Sequence, residues 1–286
     1  MSLHPCDLCG ETRTIEVPHC REYTGGQPID ICARCGFVYV RERRSAREIA
    51  ETWSKELYGS GYTARWPAVK ARHAYVAEFA DASIGLAGKA LCDIGAGEGQ
   101  FLALVRATPY EARVFGIEPS EANGRLLAGL AIEHFTGTIE EYVATRQGGD
   151  PCFDVVTILW TLENCQSLRA MLATAHDILA GGRHVVVATG SRILVPYKKP
   201  LHYYLGKNPA DTHAFRFSAN TLRGALAVSG FETVEMNRFI DSDYLCAIGR
   251  WADRSKEIPW PGDDPEGVAD FFARWHEDTR RFYVHT

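Results

Sequence analysis

From about residue 90 onward, short runs of apolar residues alternate with segments whose apolar residues recur at helical spacing. The run at 90–94 leads into glycines and then into Phe101, Leu102 and Val105, which are spaced for one face of a helix. Further apolar runs follow at 113–118, 153–160, 184–189 and 244–248. This alternation of strand and helix patterns predicts an α/β fold with the helices packed on a sheet.

The segments before and after this region have different patterns. Residues 45–80 place Trp66, Val69, Val76 and Phe79 near helical spacing, which predicts a helical connector. Near the end of the chain, an amphipathic helix is predicted from four apolar positions, Val268, Phe271, Phe272 and Trp275. The predicted domains are an N-terminal module at 1–44, the connector at 45–85, the α/β domain at 86–250 and a helical extension at 251–286.

Composition and charge restrict the classes of function. The 286 residues are 46% hydrophobic and 23% charged, enough to bury one α/β core with a small module beside it. No apolar run is long enough to span a membrane, and the polar N-terminus does not resemble a secretory signal, so a cytoplasmic location without membrane contact is expected. A net charge of −5 gives no general attraction to phosphate backbones, so no nucleic-acid partner is expected.

Four of the nine cysteines form two Cys-x-x-Cys pairs, Cys6 with Cys9 and Cys32 with Cys35. Each pair lets two thiolates converge on one ion, and two pairs supply the tetrahedral sulfur site that suits Zn²⁺. The sequence therefore predicts a structural zinc ribbon within residues 1–44, with a redox dithiol or a vestigial site as the alternatives. The acidic and basic residues of this module balance, which does not favour a nucleic-acid reader.

A glycine-rich loop follows the first predicted strand of the α/β domain. Gly95, Gly97 and Gly99 are spaced Gly-x-Gly-x-Gly, whereas dinucleotide sites use Gly-x-Gly-x-x-Gly beneath a pyrophosphate. Asp93 adds negative charge, and Glu118 ends the next strand, where an acid can accept hydrogen bonds from ribose hydroxyls. This pattern favours a cationic adenosyl donor over a dinucleotide.

These motifs, taken in order, resemble those of class I S-adenosylmethionine-dependent methyltransferases. The resemblance covers roughly residues 89–249 and includes the loop at 93–99, the ribose motif at 116–120 and the strand at 153–160. It implies a Rossmann-like seven-stranded methyltransferase sheet, with Thr138 and Ile139 near adenine; relatives often have an acid there and this chain does not. The expected cofactor contacts are Asp93, Gly95, Ala96, Gly97, Gly99, Glu118, Pro119, Thr138, Ile139 and Trp160.

Candidate catalytic residues follow the fourth and fifth strands. Many relatives have Leu-Glu-His where this chain has Leu162, Glu163 and Asn164, so Asn164 removes one familiar base while Glu163 remains able to orient a substrate. In the long insertion at 191–217, Asp211 is expected to orient His213, the predicted general base, within an extended segment. His202 is the reserve base, and the remaining lid or substrate candidates are Tyr58, Tyr62 and Tyr203.

A ribbon followed by a methyltransferase domain resembles a group of enzymes that act on sugars. The sugar C-methyltransferases of that group have a further C-terminal domain, whereas only about 35 residues follow Gly249 here. The expected substrate is therefore a hydroxyl of a sugar or sugar nucleotide. A sugar C-methyltransferase, an rRNA base methyltransferase and a non-catalytic cofactor-binding scaffold remain the alternatives, and the oligomeric state is open.

Overall fold

The computed structural model describes residues 2–57, 66–146, 152–197, 199–206, 209–237 and 244–283. In that part of the chain the strands are β1 (Ser2–Leu3), β2 (Thr14–Glu16), β3 (Asp30–Cys32), β4 (Val38–Tyr39), β5 (Glu42–Arg43), β6 (Ala90–Ile94), β7 (Arg113–Glu118), β8 (Glu133–Thr136), β9 (Phe153–Leu159), β10 (Leu179–Thr189), β11 (Phe215–Arg216), β12 (Phe231–Met236) and β13 (Leu245–Trp251). The helices are α1 (Cys20–Tyr23), α2 (Ala46–Leu57), α3 (Trp66–Ile84), α4 (Gln100–Arg106), α5 (Glu121–Gly129), α6 (Ile139–Thr145), α7 (Leu168–Ile178), α8 (Leu201–Leu205), α9 (Ala219–Ala227) and α10 (Pro265–Phe282).

Seven strands form the central sheet in the order β12-β13-β10-β9-β6-β7-β8, which confirms the predicted Rossmann-like sheet. The five strands from β6 to β10 run parallel, and β13 is antiparallel to both of its neighbours. The chain passes from β6 outward to β7 and β8, then returns to place β9 on the other side of β6. Open α/β sheets bind ligands at such a switch point, beyond the carboxyl ends of the strands.

The central strands are buried on both faces, which explains their continuous apolar sequence. Along β9, Val156 and Ile158 belong to one hydrophobic cluster, whereas Val155 and Leu159 belong to the cluster on the other face. Side chains of a strand alternate between its two faces, so a strand covered by helices on both sides needs apolar residues at every position. This burial fixes β9 beside β6 and holds the switch point in place.

The predicted ribbon shares its sheet with the long insertion. Strands β2, β3 and β4 continue into β11, where Phe215 pairs with Tyr39. Helix α10 packs on β2, β3 and α8 through Val268, Phe272 and Trp275, which confirms the predicted amphipathic helix. The division into four domains stays a prediction. The contacts of β11 and α10 connect three of the four predicted segments with one another.

The start of β10 is irregular, with a register shift between Leu179 and His184 that Gly182 accommodates at φ 78°. One local expectation differs from the structure. The expected extended segment around His213 is a 3-10 helix, Ala210–His213, that follows Pro209. Among the helices described, none has the length and hydropathy needed to cross a lipid bilayer.

Candidate active site and metal centre

A cavity of about 800 Å³ opens at the carboxyl ends of the parallel strands, within the size range of small-molecule sites. Each strand from β6 to β10 contributes the residues that follow it, while α2, α3 and the insertion form the opposite walls. The lining after the five strands includes Gly95 and Gly97, Pro119, Gly137 and Thr138, Trp160 and Thr161, and Gly190 and Ser191. The switch point predicted by the sheet order is therefore the site of the cavity.

The glycine loop needs glycine for two separate reasons. Gly95, at φ 80°, lies so close to Thr161 that an added Cβ would be 2.4 Å from its Oγ1. Gly97 also has a left-handed backbone, at φ 56°, and lines the cavity beside Ala96. Gly99 is not on the described cavity wall, and a Cβ there would instead meet Leu127 at 2.6 Å. The sequence thus identified the loop, while Gly99 serves the packing behind it.

Glu118 lies at the end of β7, and its carboxylate already accepts three hydrogen bonds. Its Oε1 accepts hydrogen bonds from the Ser120 amide at 2.9 Å and from Asn123 Nδ2 at 3.2 Å, and Oε2 accepts from the Gly97 amide at 2.8 Å. Burial raises the pKa of Glu118, and these hydrogen bonds oppose that rise. A carboxylate has about four acceptor positions, so about one remains on Oε2 for a ligand hydroxyl.

Asp93 is a buried acid on the cavity floor. Burial raises the pKa of Asp93 to about 7, the Thr157 hydroxyl lowers it by donating a hydrogen bond at 2.6 Å, and the charge of Glu118 raises it. A cationic ligand in the cavity would favour the ionised form, because opposite charges attract strongly where water is excluded. Asp93 and Glu118 therefore give this end of the cavity an acidic character that suits a cation.

The predicted adenine contacts line the cavity at the start of α6. The Thr138 hydroxyl accepts a hydrogen bond from the Glu141 amide as the N-cap of this helix, and Ile139 is buried beside it. Glu140 also lines the cavity, so an acid is present two positions after Thr138. The sequence pattern does not predict Glu140, because the start of the helix determines which of the neighbouring side chains faces the cavity.

Trp160 forms a wall of the cavity, held at φ 53° directly after β9. The Arg72 guanidinium lies 4.2 Å from the centroid of its ring, and the ring of His73 lies 5.6 Å away. Burial, together with the charge of Arg72, lowers the pKa of His73 to about 4, so His73 is neutral at pH 7. Within the described residues, Trp160 Nε1 is buried without a hydrogen-bond acceptor.

Glu163 and Asn164 lie together on a 3-10 turn, Leu162–Asn164, that faces the cavity. Glu163 Oε1 accepts a hydrogen bond from the Gly190 amide at 3.0 Å, and burial raises the pKa of its carboxyl. Asn164 donates from Nδ2 to the Trp160 carbonyl at 2.8 Å. Glu163 Oε2 and Asn164 Oδ1 are both buried and have no donor among the described residues. Two acceptor atoms are thus available at this wall.

The structure separates the predicted Asp211 and His213 pair. Asp211 accepts hydrogen bonds from the backbone amide of Arg44 at 2.7 Å and from its guanidinium at 3.0 Å, and it is not among the described lining residues. His213 lines the cavity, with its ring 5.4 Å from that of Trp53 in an edge-on contact. The expectation that Asp211 faces His213 along an extended segment is therefore wrong, because the 3-10 helix turns Asp211 towards Arg44.

The remaining lid and substrate candidates divide into three groups. Tyr203 lines the cavity and its hydroxyl lies 2.9 Å from that of Tyr283. His202 packs its ring on Tyr203 and is not among the described lining residues. Tyr58 and Tyr62 lie outside the described residues. Other wall residues that sequence reasoning missed come from α2, α3 and the insertion: Trp53, Arg72, His73, Lys199 and Tyr204.

The four predicted zinc ligands form one cluster. Their sulfur atoms all lie within 4.8 Å of one another, with Cys6 and Cys35 3.6 Å apart and Cys9 and Cys32 3.5 Å apart. Tetrahedral Zn²⁺ with bonds of about 2.3 Å places its sulfur ligands about 3.8 Å apart, so the cluster has the size for this ion. Gly10 and Gly36 follow the two pairs at φ 75° and 69°, which lets each knuckle turn. The residues fit a zinc ribbon.

Comparison with protein families gives a match to a methyltransferase domain over residues 68–236. The ubiquinone biosynthesis O-methyltransferase of Pseudomonas aeruginosa is 30% identical over 145 residues, which cover 48% of this chain and 60% of that protein. This chain therefore spans less than two thirds of the length of the curated relatives it matches.

Solved structures give the same fold. A Burkholderia thailandensis 1,6-didemethyltoxoflavin-N1-methyltransferase, with 1,6-didemethyltoxoflavin and S-adenosylhomocysteine bound, aligns with a TM-score of 0.55 at 19% identity, covering 77% of this chain and 97% of that one. A possible histamine N-methyltransferase from Thermotoga maritima aligns with a TM-score of 0.52 at 19% identity, covering 71% and 99%. The resemblance inferred from the motifs is confirmed: the chain belongs to the methyltransferase domain family and has the class I fold of S-adenosylmethionine-dependent methyltransferases.

Proposed function

We propose that this protein transfers a methyl group from S-adenosylmethionine to a hydroxyl of a sugar or sugar nucleotide. The observation that carries the proposal is a cavity with an acidic floor at one end and several orphaned polar atoms at the other. Asp93 and Glu118 suit the charge of the donor. Trp160 Nε1, Glu163 Oε2 and Asn164 Oδ1 suit an acceptor with several hydroxyl groups, which both donate and accept hydrogen bonds.

The cofactor end of the cavity would be formed by the predicted contacts that lie on its wall. Glu118 would accept a hydrogen bond from a ribose hydroxyl through its remaining position on Oε2. Asp93 would stabilise positive charge, and Ile139 and Glu140 would lie beside adenine. Gly95 and Gly97 line the cavity without side chains, so the backbone of the glycine loop would lie close to the ligand.

The acceptor hydroxyl needs to be positioned and to lose its proton. When bound, S-adenosylmethionine supplies an electrophilic methyl group on a sulfonium, and the acceptor oxygen displaces the sulfur in line. We assign proton removal to His213, which lies on the wall beside Trp53. Glu163 Oε2 would accept a hydrogen bond from the acceptor and orient it.

The ribbon cysteines would hold one structural Zn²⁺. This ion would cross-link the two knuckles and would take no part in the reaction in the cavity. We also propose a cytoplasmic location, because a reducing compartment keeps thiolate ligands available to a metal ion.

The test is methyl transfer from radiolabelled S-adenosylmethionine to a panel of sugars, sugar nucleotides and rRNA fragments by the zinc-loaded protein. We expect label on a sugar or sugar nucleotide, released by cleavage of an O-methyl bond. Label on a sugar carbon or on rRNA would reject the acceptor class, and cofactor binding without transfer to any acceptor would favour a scaffold.

A further inference from the structure

The acceptor side of the cavity has a cluster of cationic and donor groups that the methyl-transfer chemistry does not use. The cluster consists of Lys199, Tyr204 and Arg216. Lys199 and Tyr204 line the cavity, and Arg216 lies behind the wall, where it donates from Nη1 to the His213 carbonyl at 2.9 Å. We call these three residues the basic cluster.

Arg216 is a buried charge without a counter-ion among the described residues. It is 1% exposed, its Nη2 has no acceptor in the described part of the chain, and no described carboxylate forms an ion pair with it. Arg43, the other buried arginine in the described part of the chain, is matched by Asp7 at 2.7 Å, and Arg44 is matched by Asp211 at 2.8 Å. Burial lowers the pKa of Arg216, yet a guanidinium keeps its proton in proteins. A buried charge is costly unless something pairs with it.

Tyr204 joins the two cations of the cluster. The Lys199 Nζ lies 5.5 Å from the centroid of the Tyr204 ring, and the centre of the Arg216 guanidinium lies 5.9 Å from the same centroid. Burial raises the pKa of Tyr204 far above neutral pH, so its hydroxyl keeps its proton. That hydroxyl is buried without a hydrogen-bond partner among the described residues.

The cluster therefore offers donors and positive charge. The side chains of lysine and arginine have hydrogen-bond donors and no acceptors, and the protonated phenol of Tyr204 supplies a further donor. A neutral sugar hydroxyl does not need this charge, whereas the oxygens of a phosphate ester are acceptors that carry negative charge. Lys199 and Tyr204 line the same cavity as Glu163, so the cluster belongs to the site that holds the proposed acceptor.

We propose that the basic cluster binds a phosphate or diphosphate group carried by the acceptor. This inference rests on the proposed function and narrows its substrate class to phosphorylated sugars, including sugar nucleotides. Lys199 and the Tyr204 hydroxyl contact the phosphate oxygens, and Arg216 adds positive potential from behind the wall. The cavity then has two poles, an acidic one for the cationic donor and a basic one for the anionic acceptor.

The test is calorimetric titration of the zinc-loaded protein, first with S-adenosylhomocysteine and then, in its presence, with uridine diphosphate, inorganic pyrophosphate or uridine. We expect the two anions to bind and uridine to bind far more weakly. Binding of pyrophosphate alone would indicate a sugar phosphate, and tighter binding of uridine diphosphate would indicate a sugar nucleotide. If S-adenosylhomocysteine binds and neither anion does, this inference is wrong and the proposed function stands. If S-adenosylhomocysteine does not bind, the proposed function itself fails.

Variants separate the basic cluster from a general charge effect. Lys199→Gln and Tyr204→Phe should each weaken anion binding by about tenfold, the loss of one charge-assisted hydrogen bond. Lys256→Gln removes an exposed lysine that is not among the lining residues and should bind the anions like the wild type. Equal anion affinity in Lys199→Gln and Lys256→Gln would overturn the proposal.

Arg216→Met provides a second readout. If Arg216 serves ligand binding, the variant loses anion affinity while its melting temperature stays the same or rises, because an unpaired buried charge has been removed. A fall in melting temperature together with unchanged anion binding would assign Arg216 a purely structural role and contradict the proposal.

Discussion

Arg43 and Asp7 form a buried ion pair that connects the first zinc knuckle to the wall of the cavity. Asp7 lies between Cys6 and Cys9, and its Oδ2 accepts from Arg43 Nη2 at 2.7 Å. Arg43 also donates to the carbonyl of Gln166, a residue that lines the cavity. The ribbon is thus attached to the active-site wall through a pair from which water is excluded.

Asp7→Asn should destabilise the protein strongly. The substitution leaves Arg43 buried without its counter-ion, and loss of one partner of a buried pair costs about 3–5 kcal/mol. Glu51→Gln breaks an exposed pair with Arg47 and serves as the matched control, with no measurable change expected. Urea denaturation gives the free energy of unfolding of each variant. Equal values for the two variants would mean that the buried pair does not hold the ribbon in place.

Zinc should bind with a stoichiometry of one and stabilise the fold. Cys32→Ser removes one of four ligands and should reduce both the zinc content and the melting temperature. Cys152→Ser changes an exposed cysteine outside the cluster and should do neither. Elemental analysis and thermal denaturation, before and after chelator treatment, measure both effects. Full zinc content in the Cys32 variant would contradict the assignment of the site.

Cofactor affinity should depend on pH through Asp93. Its pKa in the ligand-free fold is raised to about 7, above that of the unfolded chain, so the stability of the ligand-free fold falls as the pH rises from the unfolded pKa to about 7 and is level above that pH. A cationic donor favours the ionised form, so affinity should rise with pH up to about 7, by at most tenfold per unit, and then level off. Asp93→Asn should bind weakly and without this dependence, as measured by calorimetry at several pH values. A flat wild-type profile would show that Asp93 does not meet the cation.

His213→Ala should reduce kcat by about 10²- to 10⁴-fold, the usual contribution of a general base, while leaving the affinity for S-adenosylhomocysteine unchanged. His202→Ala is the matched control, since His202 is not among the described lining residues, and should remain near wild type. Glu163→Gln should raise the KM for the acceptor more than it lowers kcat. If Glu163→Gln instead loses kcat and His213→Ala does not, Glu163 is the base.

The sequence predicted the parts of the site that local patterns determine. Glycines and a terminal acid mark the ends of β6 and β7, and both strands have the predicted bounds, 90–94 and 113–118. Cysteine spacing also predicted a cluster formed by two segments that are distant in the sequence. A metal site with four thiolate ligands needs both Cys-x-x-Cys pairs, so the two segments must meet.

The opposite wall of the cavity was not predictable in this way. Helical periodicity shows which face of α2 or α3 is apolar and does not show what that face covers. It therefore did not indicate that Trp53 and His73 line the cavity. The spacing of Asp211 and His213 fits several backbone conformations, and the partner that decided between them was Arg44, which is distant in sequence. Contacts between distant segments set these positions.

The central claim is that the glycine loop and its two acids bind S-adenosylmethionine, and a titration of two glycine variants tests it most directly. Gly95→Ala and Gly88→Ala both place a side chain at positive φ, 80° and 74°, yet an added Cβ meets Thr161 at Gly95 and no atom within 4 Å at Gly88. We predict that the wild type and Gly88→Ala bind S-adenosylhomocysteine at one site and that Gly95→Ala does not, with no binding of NAD to any of them. Binding of NAD by the wild type, or equal binding of S-adenosylhomocysteine by both variants, would contradict the account.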